Sequence, residues 1–333
     1  PLLRSGFSLR ACNSRFDRAV ARHLRRNSRQ FDAVYGYFDT SLHQFREAMR
    51  RCLRRIYDLP TPYWRMVNRL VQAEAVRRPD WADTLPSRSS LAEAASQRDE
   101  ELQLADLVIV PSPLVRDSLA EAPPFNAPVV VVPYGCPTPA SSISDLPSPI
   151  SHLPSSAAKP PLRLLFAGTL SQSKGLADLL EAIAPLGNRV QLSLAGSPPA
   201  GLPISHLPSS ICHPSSSIHF LGQLPRGELL AEMRRHDLLV LPTLYEGLSL
   251  VLLEAMSQGL PVLTTTHSGL QGLVENGRHA RLIQPADPAG LREALEHLLN
   301  NPDELASLAA NARLWAAANS WADYRQNLRR ALS

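Results

Sequence analysis

Residues 238–259, LLVLPTLYEGLSLVLLEAMSQG, decide the fold. A short apolar run ends at Pro242, a loop carries Glu246 and Gly247, and an apolar stretch of helical length follows. Strand, loop and helix in that order form half of a β/α unit. The stretch also poses a chemical question. Glu246 and Glu254 stand eight residues apart among leucines, where an unpaired carboxylate is costly to desolvate.

Further short apolar runs read as buried strands at 162–168, 190–196, 218–222, 261–265 and 281–285, with helical patterns such as KGLADLLEAIAPL between them. Strands alternating with helices at this spacing imply βαβ units and a parallel sheet. The last 45 or so residues read as wholly helical. Toward the N-terminus the alternation recurs with more noise. Strands are expected at 31–37, 54–59, 106–111 and 127–133, and helices at 41–52, 62–78, 90–105 and 113–122. Between the halves, residues 138–161 are rich in proline and serine, the composition of a linker. The expected organisation is an N-terminal domain over 1–140, a linker over 141–161 and a C-terminal domain over 162–333. Both domains are doubly wound α/β, facing across a cleft. In such sheets ligands bind beyond the carboxyl ends of the strands. The octapeptide PISHLPSS occurs at 149–156 and again at 203–210; both copies read as surface insertions.

Composition sets limits. The 333 residues are 44% hydrophobic and 19% charged, as in globular proteins. No apolar run reaches the length of a membrane span. The opening, PLLRSGFSLR, lacks both a signal-peptide pattern and a methionine, so the chain reads as a fragment or a processed form. The four cysteines, Cys12, Cys52, Cys136 and Cys212, form no CxxC pair and read as free thiols in a reducing, cytoplasmic compartment. The ten histidines form no ligand cluster, so no protein-held metal is expected. A net charge of +4 is too mild to imply nucleic acid. Arginines crowd residues 4–29 and 46–55; they fit either a solvated helix face or contact with an anionic membrane surface at the inner face of the membrane. Against so many arginines the chain has two lysines, Lys159 and Lys174.

Lys174 belongs to FAGTLSQSKGL, residues 166–176, which links a buried strand to a helix. Gly168 and Gly175 let the backbone approach a ligand, and Lys174 can reach phosphate as a point charge. The loop matches neither a Walker motif nor the dinucleotide fingerprint. Glu246, at a helix entrance, lies where free N–H groups favour anions. Glu254 lies about 12 Å farther along at 1.5 Å per residue, roughly the reach of a sugar nucleotide. A ligand bridging the two carboxylates would explain them. A helix-entrance effect for Glu246 and a buried salt bridge for Glu254 would explain them as well.

Over about 162–330 these motifs resemble the GT-B glycosyltransferases, in particular the retaining family 4, or group 1, enzymes. The resemblance rests on the glycine turn with Lys174-Gly175, on Pro242, Thr243, Glu246, Gly247, Leu248, Ser249, Glu254 and Ala255, and on GLPVLTT at 259–265. It implies a metal-independent enzyme without a cofactor, whose donor is a nucleotide-diphosphate sugar held by Gly168, Lys174, Gly247, Leu248, Ser249 and Glu254. Lys174 would hold the diphosphate, Glu246 the transferred sugar at the reacting centre and Glu254 the ribose. The acceptor, whether saccharide, lipid-linked or small molecule, would lie on the N-terminal half, with Asp58 as its candidate ligand. That half resembles the middle of such a domain and is abbreviated or truncated, and VPYGC at 132–136 resembles the turn that closes it. The chain departs from the family at Thr169 and Ser173, where many members carry an arginine, and near Gly272, where many carry a glutamate. Arg226 and Arg278 are candidates to replace the missing cation. The alternatives are an epimerase or phosphorylase on the same scaffold and a non-catalytic sugar-nucleotide-binding or scaffold protein.

Overall fold

The computed structural model describes residues 9–87, 94–138, 160–199 and 217–333. Most of the expected linker, both copies of the octapeptide, Lys159, Cys212 and the start of the helix expected from residue 90 lie outside these residues.

The N-terminal unit opens with α1 (Leu9–Asn27) and runs through β1 (Ala33–Tyr37), α2 (Leu42–Arg50), β2 (Arg54–Asp58) and α3 (Trp64–Arg77). A 3-10 segment (Pro79–Thr84) leads on to α4 (Ala95–Leu104), β3 (Leu107–Val110), α5 (Pro113–Ser118) and β4 (Val129–Val131). The strands are parallel and pair in chain order, β1-β2-β3-β4. Right-handed crossovers between strands in sequential order put their helices on one face. Accordingly Phe45 of α2, Leu102 of α4 and Val115 of α5 share one core with Leu24 of α1.

The C-terminal unit begins with β5 (Leu162–Ala167), α6 (Leu176–Ile183), β6 (Val190–Ala195) and β7 (Ile218–Gly222). Next come α7 (Arg226–Met233), β8 (Leu238–Leu241), α8 (Leu250–Ser257), β9 (Val262–Thr265) and β10 (Arg281–Ile283). Three helices end the chain: α9 (Pro288–Asn300), α10 (Pro302–Ala318) and α11 (Trp321–Leu332). Its parallel sheet has the order β10-β9-β8-β5-β6-β7. All four residues of β8 and of β9 are buried, as is β5 from Leu164 to Ala167, which is why these segments read as unbroken apolar runs. The chain leaves β5 in one direction to β6 and β7, then returns to β8 on the other side of β5. The switch point of the topology therefore lies between β5 and β8, the position beyond which doubly wound sheets bind their ligands.

Helix α11 belongs to the C-terminal segment but packs on the N-terminal sheet. Its Tyr324, Leu328 and Leu332 cover Ile56, Leu107, Ile109 and Val132, on the face opposite the crossover helices. Both faces of the N-terminal sheet are thus covered over β2 and β3, one by crossover helices and the other by α11, whereas Tyr35 and Tyr37 of β1 stay exposed. The chain crosses between units where the Cys136 amide donates to the Asn319 carbonyl at 2.7 Å and Tyr134 meets Trp321 and Tyr324. A second seam runs along α3. Val67, Val71 and Leu85 pack on Leu244 beyond β8, and Trp81 of the 3-10 segment, 3% exposed, is inserted into the core of the C-terminal unit.

Candidate functional site

Two loops meet at the switch point. The first leaves β5 at Gly168, whose φ of 148° is a conformation L side chains rarely adopt. It makes one 3-10 turn, Gln172–Lys174, and enters α6 through Gly175. Gly175 has φ 74°, and a Cβ there would lie 1.9 Å from the Pro242 carbonyl oxygen, so the close approach of the two loops requires glycine. The second loop follows β8. Its Leu244 amide and Thr243 hydroxyl both donate to the Ser173 carbonyl, each at 3.0 Å. These bonds bring the Lys174 ammonium into an ion pair with the Glu246 carboxylate. Both side chains stay in contact with solvent, at 26% and 19% exposure.

The second loop is braced from behind. The Glu246 amide donates to the His267 carbonyl at 2.8 Å, and His267 Nδ1 donates to the Leu244 carbonyl at 3.0 Å. Burial, aided by the Arg69 charge, holds His267 below its ordinary 6.5, so the ring is neutral at physiological pH. Among the described residues nothing in the protein accepts from the amides of Gly247 and Leu248. The Ser249 amide differs, because it donates to the Ser268 carbonyl. Two donors therefore lie next to Glu246, ahead of α8, in the arrangement that suits an anion. Gly247 also sits on the inter-unit seam. A Cβ there would fall 1.6 Å from the Pro60 carbonyl oxygen, and the Ser112 hydroxyl donates to the Gly247 carbonyl.

Glu254 sits on α8 and accepts from Arg226 Nε at 2.7 Å. The carboxylate is 17% exposed and the arginine 64%, so the salt bridge is half open to solvent. A cavity opens beyond the carboxyl ends of β5, β6 and β7, lined by Gly168, Thr169, Gly196, Ser197, Gln223 and Leu224 among others. Gly196 is needed there, since a Cβ would lie 1.8 Å from the Gly168 carbonyl oxygen. Arg278, the other arginine considered for the missing cation, pairs with Glu275 on the surface.

Asp58 ends β2 and accepts from the Tyr35 hydroxyl at 2.9 Å. Burial raises its carboxyl above the ordinary 3.8, although the Tyr35 bond opposes this. Its charge in turn raises the hydroxyls of Tyr37, Tyr134 and Tyr324, in each case after burial. Asp58 therefore keeps company with the tyrosines near α11, whereas Lys174, Glu246, Gly247 and Leu248 form one group. Some contacts were not foreseen from the chain: Gln172 and its partners Glu74 and Thr84, and the Ser112–Gly247 bond. They join residues 88 to 135 positions apart, and no local pattern marks them. The Arg226–Glu254 pair had a weak signal, a cation four residues after the end of the strand at Gly222.

Residues 161–301 match the family described as glycosyl transferases group 1. The D-inositol 3-phosphate glycosyltransferase of Corynebacterium urealyticum is 32% identical over 165 residues, 47% of this chain and 39% of that protein. The glycogen synthase of Mycobacterium tuberculosis is 28% identical over 270 residues, 78% of this chain and 59% of that one. The chain thus spans about four- to six-tenths of these relatives. Among solved structures, Anabaena HepE in complex with UDP superposes with a TM-score of 0.70 at 19% identity, covering 94% of this chain and 81% of that one. Sucrose-phosphate synthase from Thermosynechococcus elongatus gives 0.70 at 20% identity, covering 95% and 77%. The fold is that of the GT-B glycosyltransferases, two Rossmann-like units with parallel sheets.

Proposed function

We propose that the chain is a retaining glycosyltransferase that moves a sugar from a nucleotide-diphosphate sugar to an acceptor hydroxyl without a metal ion. The observation that carries this reading is the Lys174–Glu246 pair at the switch point, next to the amides of Gly247 and Leu248, which have no acceptor among the described residues. A cation and two N–H donors suit a diphosphate, and a carboxylate suits sugar hydroxyls. In the free protein Lys174 and Glu246 neutralise each other. A diphosphate competes for Lys174, and Glu246 is released to the sugar. In this reading Glu254, steadied by Arg226, accepts from the ribose hydroxyls, and the cavity edged by Gly168, Gly196 and Leu224 takes the base.

In the chemical step the bond from the sugar's C1 to the diphosphate oxygen breaks and the acceptor oxygen bonds C1 on the same face. The acceptor proton passes to the departing diphosphate oxygen. Negative charge grows on that group, and Lys174 and the two amides meet it. Metal independence is part of the proposal, since Lys174 and the amides supply the positive charge a divalent ion would bring; activity should survive EDTA. Asp58, with its raised carboxyl, is the proposed acceptor ligand. The Arg-rich α1 is the proposed point of any contact with an anionic membrane surface, although Arg25 already pairs with Glu47.

HepE has been crystallised with UDP and with UDP-glucose, so UDP-sugars come first in a donor screen, followed by GDP- and ADP-sugars. Thermal shift should find one that stabilises the fold by mass action. Lys174→Ala should weaken diphosphate binding by about 1.5–3 kcal/mol and lower turnover at least as much. Lys174→Arg should recover part of the loss, because it keeps the charge and changes the geometry. Glu246→Ala should mainly lower turnover and Glu254→Ala mainly nucleotide affinity. Proton NMR of the product's anomeric centre checks retention. A donor that binds tightly but is never turned over with any acceptor would favour the non-catalytic reading, and loss of activity in EDTA restored by Mn²⁺ would end the metal-free one.

A further inference from the structure

The turn that carries Lys174 is held in place by the other unit. Gln172 opens the turn and is fully buried. Its backbone amide donates to the Thr84 hydroxyl at 2.9 Å. Its side-chain Nε2 donates to Glu74 Oε1 at 2.7 Å and to Asp178 at 3.2 Å, while its Oε1 accepts from the Ala177 amide at 2.8 Å. Every polar atom of the Gln172 side chain is therefore engaged, and Glu74 and Thr84 belong to the N-terminal unit. Glu74, 3% exposed, also takes two bonds from Arg77, at 2.9 and 2.6 Å. Arg77 and Arg78 go on to Asp178 in the first turn of α6. The Thr84 hydroxyl donates to the Trp81 carbonyl at 2.7 Å, so the contact is continuous with the indole buried in the C-terminal core.

A buried carboxylate and a hydroxyl from one unit thus fix the first residue of a three-residue turn whose last residue is Lys174. We infer that Glu74 and Thr84 are positioning residues for Lys174, through which the N-terminal unit sets the donor-diphosphate site. The inference rests on the reading of Lys174 given above. Its physical basis is that a short 3-10 turn between Ser171 and Gly175 leaves little room for independent adjustment. Displacing Gln172 displaces the ammonium, and small displacements at a reacting centre are costly.

The test is a double-mutant cycle on the intact chain. Thr84→Val removes the hydroxyl at nearly constant shape, Thr84→Ser restores it, and Glu74→Ala approaches the same turn from its second support. Each is combined with Lys174→Ala. Binding of UDP, GDP and ADP is measured by titration calorimetry, the tightest serving throughout, together with kcat and KM for the matching sugar nucleotide and the thermal midpoint. Thr84→Val should lower kcat/KM about 5- to 20-fold, Thr84→Ser should return most of it, and Glu74→Ala should cost at least as much as Thr84→Val. In the Lys174→Ala background neither change should lower affinity further, because the group they position is gone. Full additivity with Lys174→Ala, with the loss tracking the thermal midpoint, would overturn the inference and leave the role of Lys174 intact. Wild-type affinity and turnover in Lys174→Ala, or no binding of any of the three diphosphates, would overturn both.

Discussion

The two sheets are built from different materials. The six-stranded sheet is held by hydrocarbon: Leu164, Leu165, Leu192, Leu194, Leu238, Leu239 and Val262 are all without exposure. The four-stranded sheet keeps buried charges under its helices. Glu101, also without exposure, accepts from the amides of Asp39, Ser41 and Leu42, from Gln97 and from the Tyr57 hydroxyl. Asp17 accepts from the amides of His43 and Gln44 at 2.7 and 2.8 Å. The opening amides of α2 are therefore satisfied by carboxylates from α4 and α1, and Ser41 makes no side-chain cap of its own. Glu47 draws in Arg25, Arg50 and Arg51. Where apolar residues are scarce, the helices are docked by charge-assisted hydrogen bonds whose partners lie far apart in the chain.

This contrast predicts a graded set of stability effects. The largest belongs to the apolar sheet: Phe166→Ala should cost about 3–5 kcal/mol by transfer and cavity terms, seen as faster hydrogen exchange across β5 to β10. A loss confined to the N-terminal strands would contradict the division. Next, Glu101→Gln keeps the shape and one carbonyl acceptor, and should cost about 1–3 kcal/mol, with exchange rising at the start of α2. Its pH dependence has a definite sign. Burial, the largest influence, raises the Glu101 carboxyl above the ordinary 4.5. A raised carboxyl contributes stability that is full below its unfolded pKa and is lost as pH rises through the folded one. The deficit of the Gln variant against wild type should therefore be greatest below pH 4.5 and shrink above it. Asp99 provides the opposite case. Burial would raise it, but hydrogen bonds from Tyr63, Trp64 and Arg65 outweigh that and hold it below 3.8. Its contribution should be lost only as pH falls through that lowered value, so Asp99→Asn should approach wild type only in strong acid. Chemical denaturation across pH measures both. The smallest effect belongs to Arg46, whose pair with Glu100 is 42% and 37% exposed. Arg46→Ala should cost less than about 1 kcal/mol, and added salt should reduce that further. A cost equal to that of Glu101→Gln would mean that exposure does not grade these pairs.

The same contrast separates what could be read along the chain from what could not. Strands expected at 31–37, 106–111 and 238–242 form at Ala33–Tyr37, Leu107–Val110 and Leu238–Leu241. The last two are buried on both faces; such a strand must be apolar throughout and must stop at a turn, so its limits are written locally. Glu246, Gly247 and Lys174 stood out because a carboxylate, a glycine and a rare lysine interrupt patterns that would otherwise be uniform. Glu74 did not, since one acid within the Arg-rich α3 looks like an ordinary surface i,i+3 partner for Arg77. Arg226 was visible as a cation, but its bond to Glu254 spans 28 residues.

From the sequence alone came the parallel α/β class, the strand positions and the residues of the two loops that meet at the switch point, because periodicity and glycine or proline punctuation act over a few residues. The tertiary structure decided the strand order with its switch point between β5 and β8, the return of α11 onto the first sheet, and the cross-unit support of the Lys174 turn by Glu74 and Thr84. Those features depend on which distant groups can satisfy a buried donor or acceptor at hydrogen-bonding distance, and that is settled only when the whole chain is packed.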